Sequence, residues 1–346
     1  MNKTVPQFTV DPSWPKPLPE NWMLGQCAGI AVDSHDNIWV AHRPNSLDAV
    51  EAGAAQVPPT SECCVPAPPV LCFDPEGNVI HTFGGIGVID PWPRREHGVY
   101  VDLDDHIWVG GNGVDAEGRG DNMVVKFDLD GKLLLVLGEP GETGGSNDTR
   151  LLGQTAGIHV VDADNEVYLA DGYVNRRIIV FDATTGAYKR HWGAYGERPH
   201  DDALPPYDPS QPAIRSFRSA VHSVQVARDG LVYAADRANC RVQVFQKDGT
   251  YVTEAFIRRE TLGAGSAWDM ELSTDPEQQF LYVADGANFK VWILDRKSLE
   301  VVGSFGRGGR QVGQFEWVHN LAADSKGNLY TAEVNNGKRI QKFTSR

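Results

Sequence analysis

His319-Asn320-Leu321-Ala322-Ala323-Asp324-Ser325-Lys326-Gly327-Asn328-Leu329-Tyr330 reads as a strand of alternating apolar residues, a tight Asp/Gly turn and a second strand. Its first residue is a histidine, ten positions before the aliphatic residue that opens the second strand. The same frame recurs upstream. His97 stands ten before Ile107 in HGVYVDLDDHIWV, and His222 ten before Val232 in HSVQVARDGLVY. Ala28 before Ile38 and Gly157 before Val167 keep the spacing without a histidine, and a sixth copy from Trp268 to Leu281 needs three extra turn residues.

Repeats of about 45 to 70 residues, each holding several short strands, predict an all-β, six-bladed β-propeller with four-stranded blades. In the third blade the expected strands are 158–161, 167–170, 177–181 and 187–192. The second and third strands of several blades carry aliphatic-Tyr/Trp-x-Ala-Asp, then Asn-x-Arg, then Ile/Val-x-Val-Phe, as in VYLADGYVNRRIIVF and VYAADRANCRVQVF. The last blade, from His319, has residues enough for three strands, so Gln7-Phe8-Thr9-Val10 is expected to supply the fourth and close the ring. Residues 1–346 then form one propeller domain. Strand connectivity places the turns between first and second strands on one face, and these are short (DSHDN, DADNE, ARDG). The long insertions, at 43–70, 84–96, 111–122, 139–156 and 194–221, all fall on the opposite, near face, which is where elaborated loops place function.

The formal charge of −14 over 346 residues argues against nucleic acid or an anionic membrane surface as partner. There is no apolar run of membrane-spanning length. MNKTVPQFTV lacks the apolar stretch of a signal peptide, and Cys27, Cys63, Cys64, Cys72 and Cys240 cannot all pair. Reduced thiols in the cytoplasm are therefore expected, although a chain trimmed of a leader reads identically and would be secreted or periplasmic. The vicinal pair Cys63-Cys64 is expected to be two buried or idle thiols.

The innermost strand of each blade lines the axis, so its first residue sits at the mouth of the central channel. These residues are Ala28, His97, Gly157, His222, Trp268 and His319. The histidines fall on alternate blades, about 120 degrees apart in a six-fold ring. Three imidazoles converging on an axis make a tripodal metal site with open positions, and zinc is the first expectation. A single histidine there would be read as a water-bonded channel residue, and His159, two residues further along its strand, is read as structural. Arg43, Arg237 and Tyr173 follow the near-face ends of second strands. Arginines there suit a carboxylate, so a small carboxylate-bearing molecule is the expected substrate. Nearby positive charge favours a phenolate, which makes a tyrosine among a metal and arginines a candidate general base.

These residues resemble a known family. The chain looks like an NHL-repeat propeller, and specifically like the lyase domain of peptidyl-glycine α-amidating enzymes (peptidylamidoglycolate lyase), over about 300 residues. The resemblance rests on His42-Arg43, His97-Gly98, DGYVNRRI from Asp171, the His222-Ser223 pair followed by ADRANCRVQVF, and Val318-His319-Asn320. It implies zinc at His97, His222 and His319, Tyr173 as base, and Arg43 and Arg237 as active-site residues. It also implies cleavage of the C–N bond of an α-hydroxyglycine-like carbinolamide to an amide and glyoxylate, and a structural calcium ion. The chain departs from the pattern at Asn320, where the family usually has Asp, at Val174, where it has Cys, and in the 43–70 insertion. Two other functions remain open: a zinc-dependent hydrolase or lyase on another small carboxylate or lactone, and a non-enzymatic propeller binding a protein partner on the near face.

Overall fold

The computed structural model describes residues 4–346, and in it the repeats form six four-stranded antiparallel sheets. From inner to outer strand, blade 1 is Gln26–Val32, Ile38–Arg43, Val70–Phe73 and Val79–Phe83. Blade 3 is Thr155–Val161, Glu166–Asp171, Arg177–Asp182 and Tyr188–Trp192, close to the expected bounds. The inner strands of the other blades are Glu96–Val101, Val221–Val226, Asp269–Leu272 and Val318–Ala323. Each inner strand packs on the inner strands of the two neighbouring blades, and Val318–Ala323 returns to Gln26–Val32, so the ring is closed.

The closure is the one read from the sequence. Phe8–Val10 pairs antiparallel with Arg339–Ser345, Phe8 opposite Ser345 and Val10 opposite Phe343. Phe8 then packs between Tyr282 and Phe305 of blade 5, with ring centroids 5.5 and 4.9 Å away. The first chain segment thereby ties the last blade to the one before it.

The apolar residues alternate along each strand and collect into six clusters, one in each interface between adjacent blades. Trp39, Val70, Val99 and Val109 fill the first interface, and Ile30, Val40, Tyr330 and Ala332 the last. Such face-to-face packing leaves polar edges only at the two faces and along the axis. The repeated Asp…Asn-x-Arg motif holds those near-face edges. Buried Asp171 accepts from Asn175 Nδ2, Arg177 Nε and the Gly153 amide, at 2.7, 2.9 and 2.7 Å. Asp236 does the same for Asn239, Arg241 and the Arg218 amide. Arg177 also donates to the carbonyls of Ser146 and Leu151, which pins the 139–156 loop over the strand ends.

Two expectations need correction. The axial residue of blade 3 is Ala156, not Gly157. The hairpin there, around Asp162–Asp164 and left-handed Asn165, is one residue longer than in blade 1 (Gly157 pairs with Ala170, Gly29 with Ala41), so ten-residue counting lands one position late. The expectation of idle, reduced thiols at Cys63-Cys64 also fails: their sulfurs are bonded to each other, while Cys27, Cys72 and Cys240 are free and buried. Among the described residues no helix is long and apolar enough to cross a membrane.

A candidate metal centre at the near-face mouth

Five of the six inner strands begin with an irregularity, blade 5 being the exception. In blade 4 Val221 pairs with Asp236 and Ser223 with Ala235, so His222 is an extra, unpaired residue. In blade 6 Val318 pairs with Glu333 and Asn320 with Ala332, leaving His319 over in the same way. In blade 2 His97 falls inside the equivalent irregularity between Glu96 and Val99. A β-bulge re-aims the side chain of its extra residue. Here it turns three imidazoles out of the blade interfaces and onto the axis. Their ring centroids lie 4.8 to 5.0 Å apart, and one nitrogen from each lies within 4.8 Å of the others.

The other ring nitrogens are fixed by the neighbouring blades. His97 Nδ1 donates to the Ala156 carbonyl at 2.9 Å, and His222 Nδ1 to the Trp268 carbonyl at 2.7 Å. In both cases the acceptor is the axial residue of the next blade. His319 Nδ1 is bonded to the Asn320 side chain, whose Nδ2 donates to Asp269 Oδ2 at 3.1 Å. With Nδ1 carrying the proton, Nε2 of each ring holds its lone pair toward the others, which is the tautomer a metal ligand needs. All three imidazoles are held neutral. Burial, then the charges of the other two histidines, pulls His97 well below the usual range, and burial with Arg237 does the same for His222. Burial and then Arg43 bring His319 down to about 3. Three neutral, buried nitrogen donors fit a zinc-like divalent ion, which would be held by His97, His222 and His319.

Around this trio the near-face loops place the other sequence candidates. Tyr173 Oη lies 2.7 Å from His97 Nε2 and 3.2 Å from His222 Nε2. Its loop passes so close to blade 4 that a Cβ on Gly172 would stand 2.0 Å from the Val221 carbonyl oxygen, so only glycine fits before the tyrosine. Ser219 Oγ donates to the Tyr173 carbonyl at 2.8 Å and fixes the loop from the far side. Arg237 lays its guanidinium over the rings of Trp268 and Tyr173, 4.7 and 5.6 Å from their centroids. Its Nε is buried and has no partner within the protein. Arg43 is buried, donates to the Glu96 carbonyl and to Gln26 Oε1 at 2.8 Å each, and is brought down to about 10 by burial and then by Arg95. It remains charged at neutral pH.

His42, the neighbour of Arg43, is outside the cluster. Its Nδ1 accepts from the Gly25 amide and its Nε2 meets the Pro68 carbonyl, a purely structural arrangement. His159 packs beside Tyr100 lower in the channel, away from the trio. Sequence reasoning gave no role to two members of the surroundings, one of which it had placed on the axis. Trp268 occupies the axial position of blade 5 and packs its indole against His222 and His319, with centroids 5.8 and 5.6 Å away. Arg95 lies near enough for its charge to act on both Arg43 and His319. The axial frame marked Trp268, but nothing in the spacing distinguished Arg95 from the other arginines of its loop.

The residues beside His319, where the chain departs from the family at Asn320, do not form a calcium site. Calcium wants six to eight oxygens, carboxylates foremost. Position 320 carries an amide already engaged with His319 on one side and Asp269 on the other. Asp269 itself is taken up by the Leu321 amide at 2.8 Å.

No protein-family model matches the chain. It is 26% identical over 356 residues to NHL repeat-containing protein 3 of Mus musculus, spanning 98% of this chain and 84% of that protein. With peptidylglycine alpha-amidating monooxygenase of Rattus norvegicus it shares 25% identity over 338 residues, 92% of this chain but only 30% of the relative. The chain thus spans under a third of that amidating relative's length. Among solved structures, virginiamycin B lyase from Staphylococcus aureus superposes with a TM-score of 0.51 at 12% identity, over 98% of this chain and 88% of that one. A Bacteroides thetaiotaomicron protein of unknown function gives a TM-score of 0.56 at 15% identity, over 94% of this chain and 70% of that one. These two likenesses concern the fold alone. By sequence, this six-bladed propeller is similar over nearly its whole length to NHL repeat-containing protein 3, and over most of it to a portion of the peptidylglycine alpha-amidating monooxygenases.

Proposed function

We propose that the chain is a metal-dependent lyase that cleaves the C–N bond of an α-hydroxyglycine-type carbinolamide, releasing an amide and glyoxylate. The single observation that carries this reading is the convergence of three neutral histidine nitrogens with a phenol at 2.7 Å and unpaired arginines beside them. Similarity to the amidating monooxygenases supports the same direction.

His97, His222 and His319 would hold a divalent ion, zinc first, which would supply Lewis acidity toward the substrate hydroxyl. Arg43 and Arg237 bind the substrate carboxylate, a task matched to their forked donors. Tyr173 takes the hydroxyl proton. The electron pair left on oxygen forms the aldehyde C=O as the C–N bond breaks, and the proton returns from Tyr173 to the departing amide nitrogen. Atoms and charge balance: R–CO–NH–CH(OH)–COO⁻ gives R–CO–NH₂ and glyoxylate. Burying the site under the near-face loops strengthens every charge interaction in it.

The test is glyoxylate release from α-hydroxyhippurate by the purified protein, before and after treatment with a chelator. Release that stops on chelation and returns with zinc supports the reading. Metal binding without glyoxylate from this substrate would replace it with a hydrolase or lyase on another small carboxylate or lactone, served by the same site.

A further inference from the structure

Beside the metal centre, between blades 1 and 2, lies a cavity of about 390 Å³ lined by Gln26, Arg43, Arg94, Arg95, Glu96 and Asn112, among others. Its charge is unusual for this chain. The protein carries 46 acidic side chains against 32 basic ones. Yet neither Arg43 nor Arg95 forms an ion pair with a carboxylate among the described residues. Arg43 gives Nε–H to a carbonyl and Nη1 to an amide oxygen, which leaves Nη2 for a ligand, and Arg95 makes one long bond, 3.4 Å, to Asn112 Oδ1. Glu96 lines the same space, but its carboxyl accepts from Trp92 Nε1 at 2.8 Å and is pushed up to about 7 by burial.

Asp121, close by, is used to build the loop and not to neutralise the cavity. Buried Asp121 accepts from the backbone amides of Arg94, Arg95 and Gly113 at 3.0, 3.0 and 2.8 Å. The adjacent Arg94 is paired with Asp115 at 3.6 Å, and Asp115 also holds Arg119. Both consecutive arginines are exposed and line the cavity with Arg43, but only Arg94 has a carboxylate within reach, and Arg95 has none among the described residues. Buried Arg43 and exposed Arg95 thus present positive charge to one space with donors left for an anion.

We propose that Arg95, with Asn112 and the cavity they line, is an anion subsite that selects substrates bearing a second acidic group on the acyl side. The inference rests on the lyase reading for its substrate class: an α-hydroxyglycine amide of a dicarboxylic acid, cleaved to an acidic amide and glyoxylate. Arg43 and Arg237 serve the carboxylate next to the reacting carbon, and Arg95 serves the remote one. Arg95 is a specificity residue and takes no part in bond breaking.

The test is calorimetric binding of two unreactive probes, N-acetylglycine (one carboxylate) and N-succinylglycine (two), to the metal-loaded protein at fixed ionic strength. The wild type is expected to favour N-succinylglycine by about tenfold or more, the scale of one charge-assisted contact. Arg95→Ala should bring the ratio near one while N-acetylglycine binding changes little. Arg94→Ala, which removes the paired neighbour, should keep the wild-type ratio. Equal affinity for both probes in the wild type, a ratio unchanged in Arg95→Ala, or no binding of either probe overturns the subsite. The two readings fail separately: the preference can stand when α-hydroxyhippurate releases no glyoxylate, and glyoxylate can appear with no preference for the second acid.

Discussion

The Tyr173 phenol oxygen lies 2.7 Å from Nε2 of His97, the nitrogen that His97 leaves free after giving Nδ1–H to the next blade. One side chain thus touches both the candidate metal donors and the space where a substrate hydroxyl would lie. Tyr173→Phe keeps the ring packing and removes only the proton carrier. It is expected to lower kcat for glyoxylate release by about 10²- to 10⁴-fold, with metal content unchanged. A variant that turns over normally would remove Tyr173 from the chemistry.

Asn320 holds His319 and is itself held by Asp269, so it sets the third imidazole's tautomer and tilt. Asn320→Ala should weaken metal affinity by about 10- to 100-fold, as loss of a partner behind a ligating histidine usually does. A competition titration with a chromogenic chelator measures this. Unchanged affinity would mean that His319 is oriented by packing against Trp268 alone.

Glu271 faces the channel below the trio, and burial, followed by the charge of Asp269, pushes its carboxyl up to about 8. The sign follows from linkage. The folded pKa lies above the ordinary carboxylate value, so this group's contribution is fully present below about pH 4.5 and fades as pH rises toward 8. Glu271→Gln should raise Tm by about 2–4 °C at pH 8.5 and change it little at pH 5. Equal shifts at both pH values would show that the carboxyl is solvated in the channel.

Closure depends on Phe8 of the N-terminal strand, half-buried between Tyr282 and Phe305. Phe8→Ala should cost about 2 kcal/mol in denaturant unfolding, less than a fully buried phenylalanine because the site is half-exposed. It should leave glyoxylate release at 25 °C unchanged, since the strand lies at the outer edge of its blade, far from the axis.

The frame of a histidine ten residues before the second strand was enough to find the ring, its closure and the three axial imidazoles, because blade periodicity and axial position are the same fact in a propeller. It erred where a turn changed length, at Asp162–Asp164, which moved the axial position to Ala156. Spacing also carried no sign of the bulges that aim the histidines, since a bulge alters pairing without altering composition. Arg95 was invisible for another reason. What sets it apart from Arg94 is the absence of a carboxylate partner, a property of three-dimensional surroundings. The Cys63–Cys64 bond likewise depends on how one loop turns, which five cysteines in a list do not reveal.

The most direct test of the central claim is elemental analysis of the purified protein alongside its His97→Ala, His222→Ala and His319→Ala variants, each checked for folding by circular dichroism. A bound trio predicts about one divalent ion per chain in the wild type and loss of that ion in every folded single variant. A metal-free wild type that takes up no zinc on reconstitution, or folded variants that keep their ion, would contradict it.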